Sequence, residues 1–256
     1  MNSSSLKHSA ASLFPWPRTL VTGATSGIGL ALTRQLAEAG APVLALGRNA
    51  EALAPLRAVH PHIEFIPGDL SDLASLEALA ADLVSRYPDL ACLINNAGMQ
   101  HNVLFDQAEC TAERIRSEID LNLTAPMVLT RALLPHLRSQ RAAWVVNVTS
   151  GLAFAPKPSA AVYSATKAGL HLFTEALRLQ MQGRNKLQVV EAIMPLVDTP
   201  MTQGRGRNKL PASEAAAQVI EGLRTGRDNI WVGKAKGIPW LQRLAPSLLA
   251  RILRGG

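Results

Sequence analysis

Thr19-Leu20-Val21-Thr22-Gly23-Ala24-Thr25-Ser26-Gly27-Ile28-Gly29 decides the architecture of this chain. A short apolar run ends in a glycine loop, and the loop opens into a helical pattern from Ile28 to Ala39 that Gly40 stops. A strand that turns through glycines directly into a helix starts a βαβ unit. Gly23 permits the tight turn, while Gly27 and Gly29 let backbone approach a ligand and let the helix pack on the sheet. The first N–H groups of a helix have no partners within it and present themselves to a phosphate. Thr25 and Ser26 add hydroxyl donors. The spacing is Gly-x-x-x-Gly-x-Gly rather than Gly-x-Gly-x-x-Gly. With a strand before it and a helix after it, the loop predicts a bound dinucleotide contacted by Gly23, Thr25, Ser26, Gly27, Ile28 and Gly29.

The same alternation continues outward. Strands are expected at Pro42–Leu46, Ile63–Ile66, Ala91–Ile94, Ala143–Val148, Leu187–Met194 and Asn229–Val232. Helices are expected at Ala50–Val59, Leu73–Tyr87, Thr111–Arg138 with a kink at Pro126, Ala161–Gly183 and Glu214–Gly222. The stretch Leu196–Ala212, rich in Gly, Arg and Pro, is the poorest in regular pattern. This order predicts an α/β protein: a single-domain Rossmann fold, a doubly wound parallel sheet with helices on both faces. Residues 1–17 read as a flexible arm and 18–237 as the domain, with a substrate loop at 196–212. Residues 238–256 read as an amphipathic basic extension.

Composition narrows the function classes. The 256 residues are 48% hydrophobic and 4% aromatic, so aliphatic packing builds a sizeable core. No run of about 18 apolar residues marks a membrane span. Cys92 and Cys110 give neither a disulfide framework nor a metal-ligand spacing, so no metal is expected and a reducing cytoplasm is the simple reading. The net charge of +7 is compatible with nucleic acid, a membrane surface or an anionic ligand. The basic residues are spread along the chain, which argues against nucleic acid.

Two further features carry chemistry. The second strand ends Leu46-Gly47-Arg48, where a dinucleotide site selective for NAD places a carboxylate on the ribose 2′-hydroxyl. With a guanidinium at Arg48 instead, a 2′-phosphate is favoured and NADP(H) is expected over NAD(H). Tyr163 and Lys167 stand one helical turn apart, with Ser150 thirteen residues upstream. A phenol is a poor acid at neutral pH, and a neighbouring ammonium is expected to bring its pKa toward the working range.

Taken together, these motifs resemble the short-chain dehydrogenase/reductase family over roughly Arg18 to Thr202. Thr22 to Gly29 matches its Thr-Gly-x-x-x-Gly-x-Gly, and Asn95-Asn96-Ala97-Gly98 its Asn-Asn-Ala-Gly. The resemblance implies a catalytic tetrad of Asn122, Ser150, Tyr163 and Lys167. Ser150 would orient a carbonyl oxygen and Tyr163 would exchange a proton with it. Lys167 would tune the tyrosine and hold the nicotinamide ribose, and Asn122 would hold a water leading to solvent. It also implies that Asp69 and Leu70 lie by the adenine, that Asn96, Ala97 and Gly98 support the cofactor, and that Val197 and Thr199 meet the carboxamide. Leu196 replaces the usual glycine after Pro195. The string Pro195-Leu196-Val197-Asp198-Thr199 resembles the DltE-type subset of the family.

The implied function is an NADP(H)-dependent oxidoreductase interconverting a small-molecule carbonyl and an alcohol. Pairing through the two long helices implies a homodimer or homotetramer. Gly204 to Lys209 falls at the family's substrate lid and reads as a solvated loop or an anion contact. The amphipathic segment Ile238–Leu253, broken at Pro246, suits an anionic membrane surface, a cover over the substrate cleft or a subunit interface. Two other classes remain open: a non-catalytic cofactor-binding regulator and a membrane-surface interaction protein on the same fold.

Overall fold

A computed structural model describes residues 16–183 and 186–254. Seven parallel strands form one sheet: β1 (Arg18–Thr22), β2 (Val43–Gly47), β3 (Ile63–Pro67), β4 (Leu90–Asn95), β5 (Ala143–Ser150), β6 (Leu187–Met194) and β9 (Asn229–Trp231). Their order across the sheet is β3-β2-β1-β4-β5-β6-β9. The chain winds outward from β1 to β3, then returns to start again at β4 on the other side of β1. Such a reversal opens a crevice at the carboxyl ends of β1 and β4, where ligands bind in open α/β sheets.

All eight residues of β5 are buried, as a strand covered on both faces requires. Side chains along each strand alternate between two cores. Val21, Val43, Ile94 and Val146 point to a layer formed by α1 (Gly27–Glu38), α2 (Ala54–Val59) and α7 (Ala212–Arg224). Leu20, Leu44, Leu93 and Val145 point to the opposite layer, formed by α3 (Leu76–Arg86), α5 (Ala125–Ser139) and α6 (Ala161–Met181).

Three expectations need correcting. The helix expected over Thr111–Arg138 with a kink at Pro126 is interrupted just before that proline. It consists of α4 (Ala112–Ile119), a π-helical turn at Asp120–Thr124 and α5. Pro126 sits in the first turn of α5 and has no N–H to give the carbonyl of Asn122, four residues back. The segment 196–212, expected as a substrate loop, is more ordered than its composition suggests. Its ends, β7 (Val197–Asp198) and β8 (Leu210–Pro211), pair in parallel, and a capped 3-10 turn covers Pro200–Thr202. The arm expected over 1–17 ends early: Trp16 is buried in the first core, and residues 1–15 lie outside the described residues.

The C-terminal extension forms two short helices, α8 (Ile238–Leu244) and α9 (Pro246–Arg254), separated where Pro246 was expected to break it. Ile238 and Leu249 are buried with Ala155, Ile193 and Ala235 in a third small core. The side chains of Leu253 and Arg254 lie outside the described residues. Among the described residues no helix is long and apolar enough to cross a membrane.

Candidate active site

The glycine loop has the backbone that its residues allow. Gly23 and Gly27 hold φ of +63° and +51°, a region that L side chains rarely adopt. A Cβ on Gly29 would lie 2.1 Å from the Gly23 carbonyl oxygen, so the first turn of α1 can close on the loop only with glycine there. Ser26, at the N-cap, makes no side-chain capping bond, which leaves the first amides of α1 available to a ligand.

Thr22 and Asn96 lock this loop to the end of β4. The Thr22 hydroxyl accepts from the amides of Asn96 and Ala97 at 2.9 and 3.0 Å, and Asn96 Nδ2 donates to the Thr22 carbonyl at 2.9 Å. The bracing role of Thr22 was not foreseen; its place at the last residue of the strand before the glycines was the available signal.

From this loop a single cleft of about 760 Å³ runs across the carboxyl edge of the sheet. Gly23, Thr25, Ser26, Gly27 and Ile28 line it, as do Arg48, Asp69, Leu70, Asn96, Ala97, Gly98, Ser150, Tyr163, Lys167, Val197 and Thr199. Gly29 and Asn122 do not. Gly29 packs beneath the loop, and Asn122 is fully buried behind Gly98.

At the β2 end, Arg48 Nη1 lies 3.6 Å from Asp69 Oδ2, with the two side chains 74% and 48% exposed. So open an ion pair constrains neither partner strongly. The Ser71 amide, which donates to Asp69 at 3.0 Å, leads in holding that carboxyl below its ordinary range, and Arg48 adds to it. A Cβ on Gly47 would meet Thr25 Cγ2 at 2.7 Å, so the turn has no room for an acidic side chain at that residue.

At the other end, Ser150 closes β5 and Tyr163 and Lys167 project from α6. Ser150 stands by the Tyr163 phenol and favours its ionised form, and its hydroxyl accepts from the Leu152 amide at 3.2 Å. Lys167 Nζ donates to the Val148 carbonyl at 2.9 Å and lies 5.7 Å from the centre of the Tyr163 ring. The expected lowering of the tyrosine by the lysine is not what prevails. Desolvation pushes the phenol up to about 12, against the opposing effects of Ser150 and Arg205, and pushes the buried Lys167 down to about 8. Both shifts share one cause: taken from water, each group favours its neutral form.

Asn122 has its side chain committed. Oδ1 accepts from the Met99 amide at 2.8 Å, and Nδ2 donates to the Met99 carbonyl at 2.8 Å and to Thr166 Oγ1 at 3.3 Å. It thereby ties the loop after β4 to the helix that carries Tyr163 and Lys167. One turn before it, Glu118 is buried and accepts from the His101 amide at 3.0 Å; its charge also opposes ionisation of Tyr163. The i, i+4 spacing of Glu118 and Asn122 was the sequence signal that these two share a face. Below Ser150, the neighbouring Thr149 donates to buried Glu191 at 2.6 Å, and His171 Nδ1 lies 2.9 Å from the other carboxylate oxygen. That cluster anchors the end of β5.

Comparison with known proteins agrees with this geometry. A family model described as short chain dehydrogenase matches residues 18–210. An uncharacterized oxidoreductase of Bacillus subtilis, DltE, is 36% identical over 226 residues, which span 86% of this chain and 89% of that protein. A short chain dehydrogenase from Burkholderia cenocepacia, solved in complex with NADP, superposes with a TM-score of 0.82 at 29% identity, covering 93% of this chain and 97% of that one. A short chain dehydrogenase/reductase from Burkholderia phymatum, solved in complex with NAD, has a TM-score of 0.80 at 22% identity and shares the fold, covering 94% of this chain and 96% of that one.

Proposed function

The chain belongs to the short chain dehydrogenase family, and we propose that it interconverts a carbonyl and an alcohol with NADP(H), Tyr163 being the general acid/base. The carrying observation is the convergence of Ser150, Tyr163 and Lys167 on one end of a cleft whose other end is a glycine loop. The loop fits a dinucleotide because its glycines leave the space, and the amides of α1 the donors, that a pyrophosphate needs. A nicotinamide dinucleotide bound there supplies a hydride in reduction and accepts one in oxidation.

The chain's own residues supply the rest. Ser150 holds the carbonyl oxygen beside the phenol. Tyr163, kept protonated at neutral pH by burial, gives that oxygen its proton in reduction. Lys167 stands over the resulting phenolate and stabilises it. Return of a proton runs past Lys167 through a water, which we assign to the Asn122 main-chain carbonyl because its side-chain donors are committed. Gly23, Thr25, Ser26, Gly27 and Ile28 hold the phosphates, with Gly29 shaping the turn behind them. Asp69 and Leu70 border the adenine, and Asn96, Ala97 and Gly98 support the adjoining ribose. Val197 and Thr199 take the carboxamide. Arg48 supports NADP(H) over NAD(H), since its open pairing with Asp69 yields readily to a 2′-phosphate.

Association into a homodimer or homotetramer is supported by exposed Ile119, Met127, Leu172 and Leu179 along the long helices. Peripheral membrane contact is supported by Trp240 and Leu244, 69% and 73% exposed on α8, beside Arg243. The free thiols of Cys92 and Cys110 suit a cytoplasmic location.

The deciding experiment is Tyr163→Phe, assayed by NADPH absorbance over a panel of ketones and aldehydes. Turnover should fall at least about a hundredfold, the range of general-acid catalysis, while cofactor affinity is kept. Near-normal turnover in the variant would overturn the assignment.

A further inference from the structure

Beyond the catalytic groups the cleft continues between two walls of opposite chemistry. One wall is apolar. A Cβ on Gly151 would lie 2.8 Å from Ile238 Cδ1, which puts α8 directly against the turn that follows Ser150. Leu152, Ile238, Leu241, Leu249 and Ile252 all line the cleft. Ile238 and Leu249 are buried in the third core, Leu241 is half-buried and Ile252 is 52% exposed, so the apolar strip runs from the catalytic end out to the rim.

The other wall carries Arg205, on the loop between β7 and β8. The loop holds it in a defined place. Its amide donates to the Thr202 carbonyl at 3.1 Å, and it lies between Gly204 and Gly206, both at positive φ. A Cβ on Gly206 would come 2.2 Å from Leu196 Cδ2, so the loop is folded down tightly over Leu196. Lys209 nearby is taken by Asp198 at 2.7 Å. Arg205 is half-buried, and among the described residues no carboxylate lies within ion-pair distance of it. Its charge nevertheless reaches the Tyr163 phenol. A half-buried guanidinium facing a cleft, with no acid of its own, calls for an anion from the ligand.

We propose that the cleft takes an amphiphilic carbonyl compound, its apolar chain lying along Leu152, Leu241 and Ile252 and its anionic group pairing with Arg205. Calling that ligand the substrate rests on the reductase reading above. A short polar carbonyl would leave the apolar strip wet, and a neutral one would leave Arg205 unpaired.

The test is calorimetric titration of the full chain with octanoate, 1-octanol and butyrate, with the cofactor site filled by NADPH, which cannot oxidise the alcohol. Octanoate should bind, and 1-octanol and butyrate should each bind at least about tenfold more weakly, the alcohol for want of charge and butyrate for want of chain. Arg205→Gln should weaken octanoate about tenfold or more, and Arg205→Lys should restore part of the loss. The proposal is overturned if octanoate fails to bind, if 1-octanol or butyrate binds as tightly, or if Arg205→Gln lowers NADPH affinity and leaves octanoate unchanged. No carbonyl reacts in this titration. Octanoate binding through Arg205 in a chain without NADPH-dependent turnover would therefore keep this inference and overturn the reaction, and turnover with an indifferent Arg205 would do the reverse.

Discussion

Tyr163 and Lys167 stand four residues apart on α6, and burial drives each toward its neutral form. Lys167 has a folded pKa of about 8 against an ordinary 10.5. Between those values the unfolded chain holds a proton that the folded chain has lost, so this lysine makes stability rise with pH through that window and weighs against the fold below it. Lys167→Met removes the burden. Measured by denaturant unfolding, the stability of the variant relative to the parent should be greatest below about pH 8 and shrink toward 10.5, while turnover is lost. A difference that grows with pH would refute this account. Arg48 makes its own prediction. Arg48→Ala should weaken NADPH binding about tenfold or more and NADH binding much less, read by fluorescence titration; equal losses would contradict the assignment. The types and spacing of these residues were plain in the sequence. Their ionisation was not, because desolvation depends on what the fold packs around them. For the same reason Glu118, an ordinary charged helix residue by sequence, could not be read as buried beside Tyr163.

The β1–loop–α1 unit follows directly from its residues, since three glycines in that order satisfy a turn that other residues cannot make. Gly29→Ala tests it. The added methyl meets the Gly23 carbonyl and Asn96 Nδ2, at 2.1 and 2.5 Å, and neither can withdraw without opening the loop. The variant should lose cofactor binding at least about tenfold, seen as absent NADPH protection in a melting assay; an unchanged shift would show that the loop relaxes at little cost. The long helix through Asn122 was less legible. Pro126 marked an irregularity, yet the irregular turn lies before it at Asp120–Thr124. A proline disturbs the turn behind it, where its missing N–H and its ring are felt. What that turn accomplishes, turning Asn122 onto Met99 and Thr166, depends on a loop and a helix distant in sequence.

For the molecule as a whole, the strand order brings the glycine loop, Ser150, Tyr163 and Lys167 to one edge of one sheet, and the last helices line the same cleft. Residues 238–256 read as amphipathic with three places to go. The fold turns Ile238, Leu241, Leu249 and Ile252 toward the cleft and leaves Trp240 and Leu244 outside. Truncation after Gly237 should uncover Ala155, Ile193 and Ala235 and remove two buried aliphatic side chains, each contributing on the order of 1.5–3 kcal/mol. The melting temperature should fall by several degrees, and KM for apolar carbonyls should rise more than KM for short ones. Co-sedimentation with anionic vesicles, if Trp240 and Leu244 mediate it, should vanish in the same variant; binding retained after truncation would remove α8 and α9 as the membrane contact.

The sequence by itself determined the strand–helix alternation, the glycine loop and the family, and it supplied the side chains proposed to react. All of these rest on local backbone preference and on residues close together in the chain. Only the tertiary structure decided which groups lose water, that Gly29 and Asn122 stand behind the cleft rather than in it, and that Arg205 and the last helices line one cleft. Those outcomes are set by desolvation and packing between segments far apart in sequence, which no local pattern records.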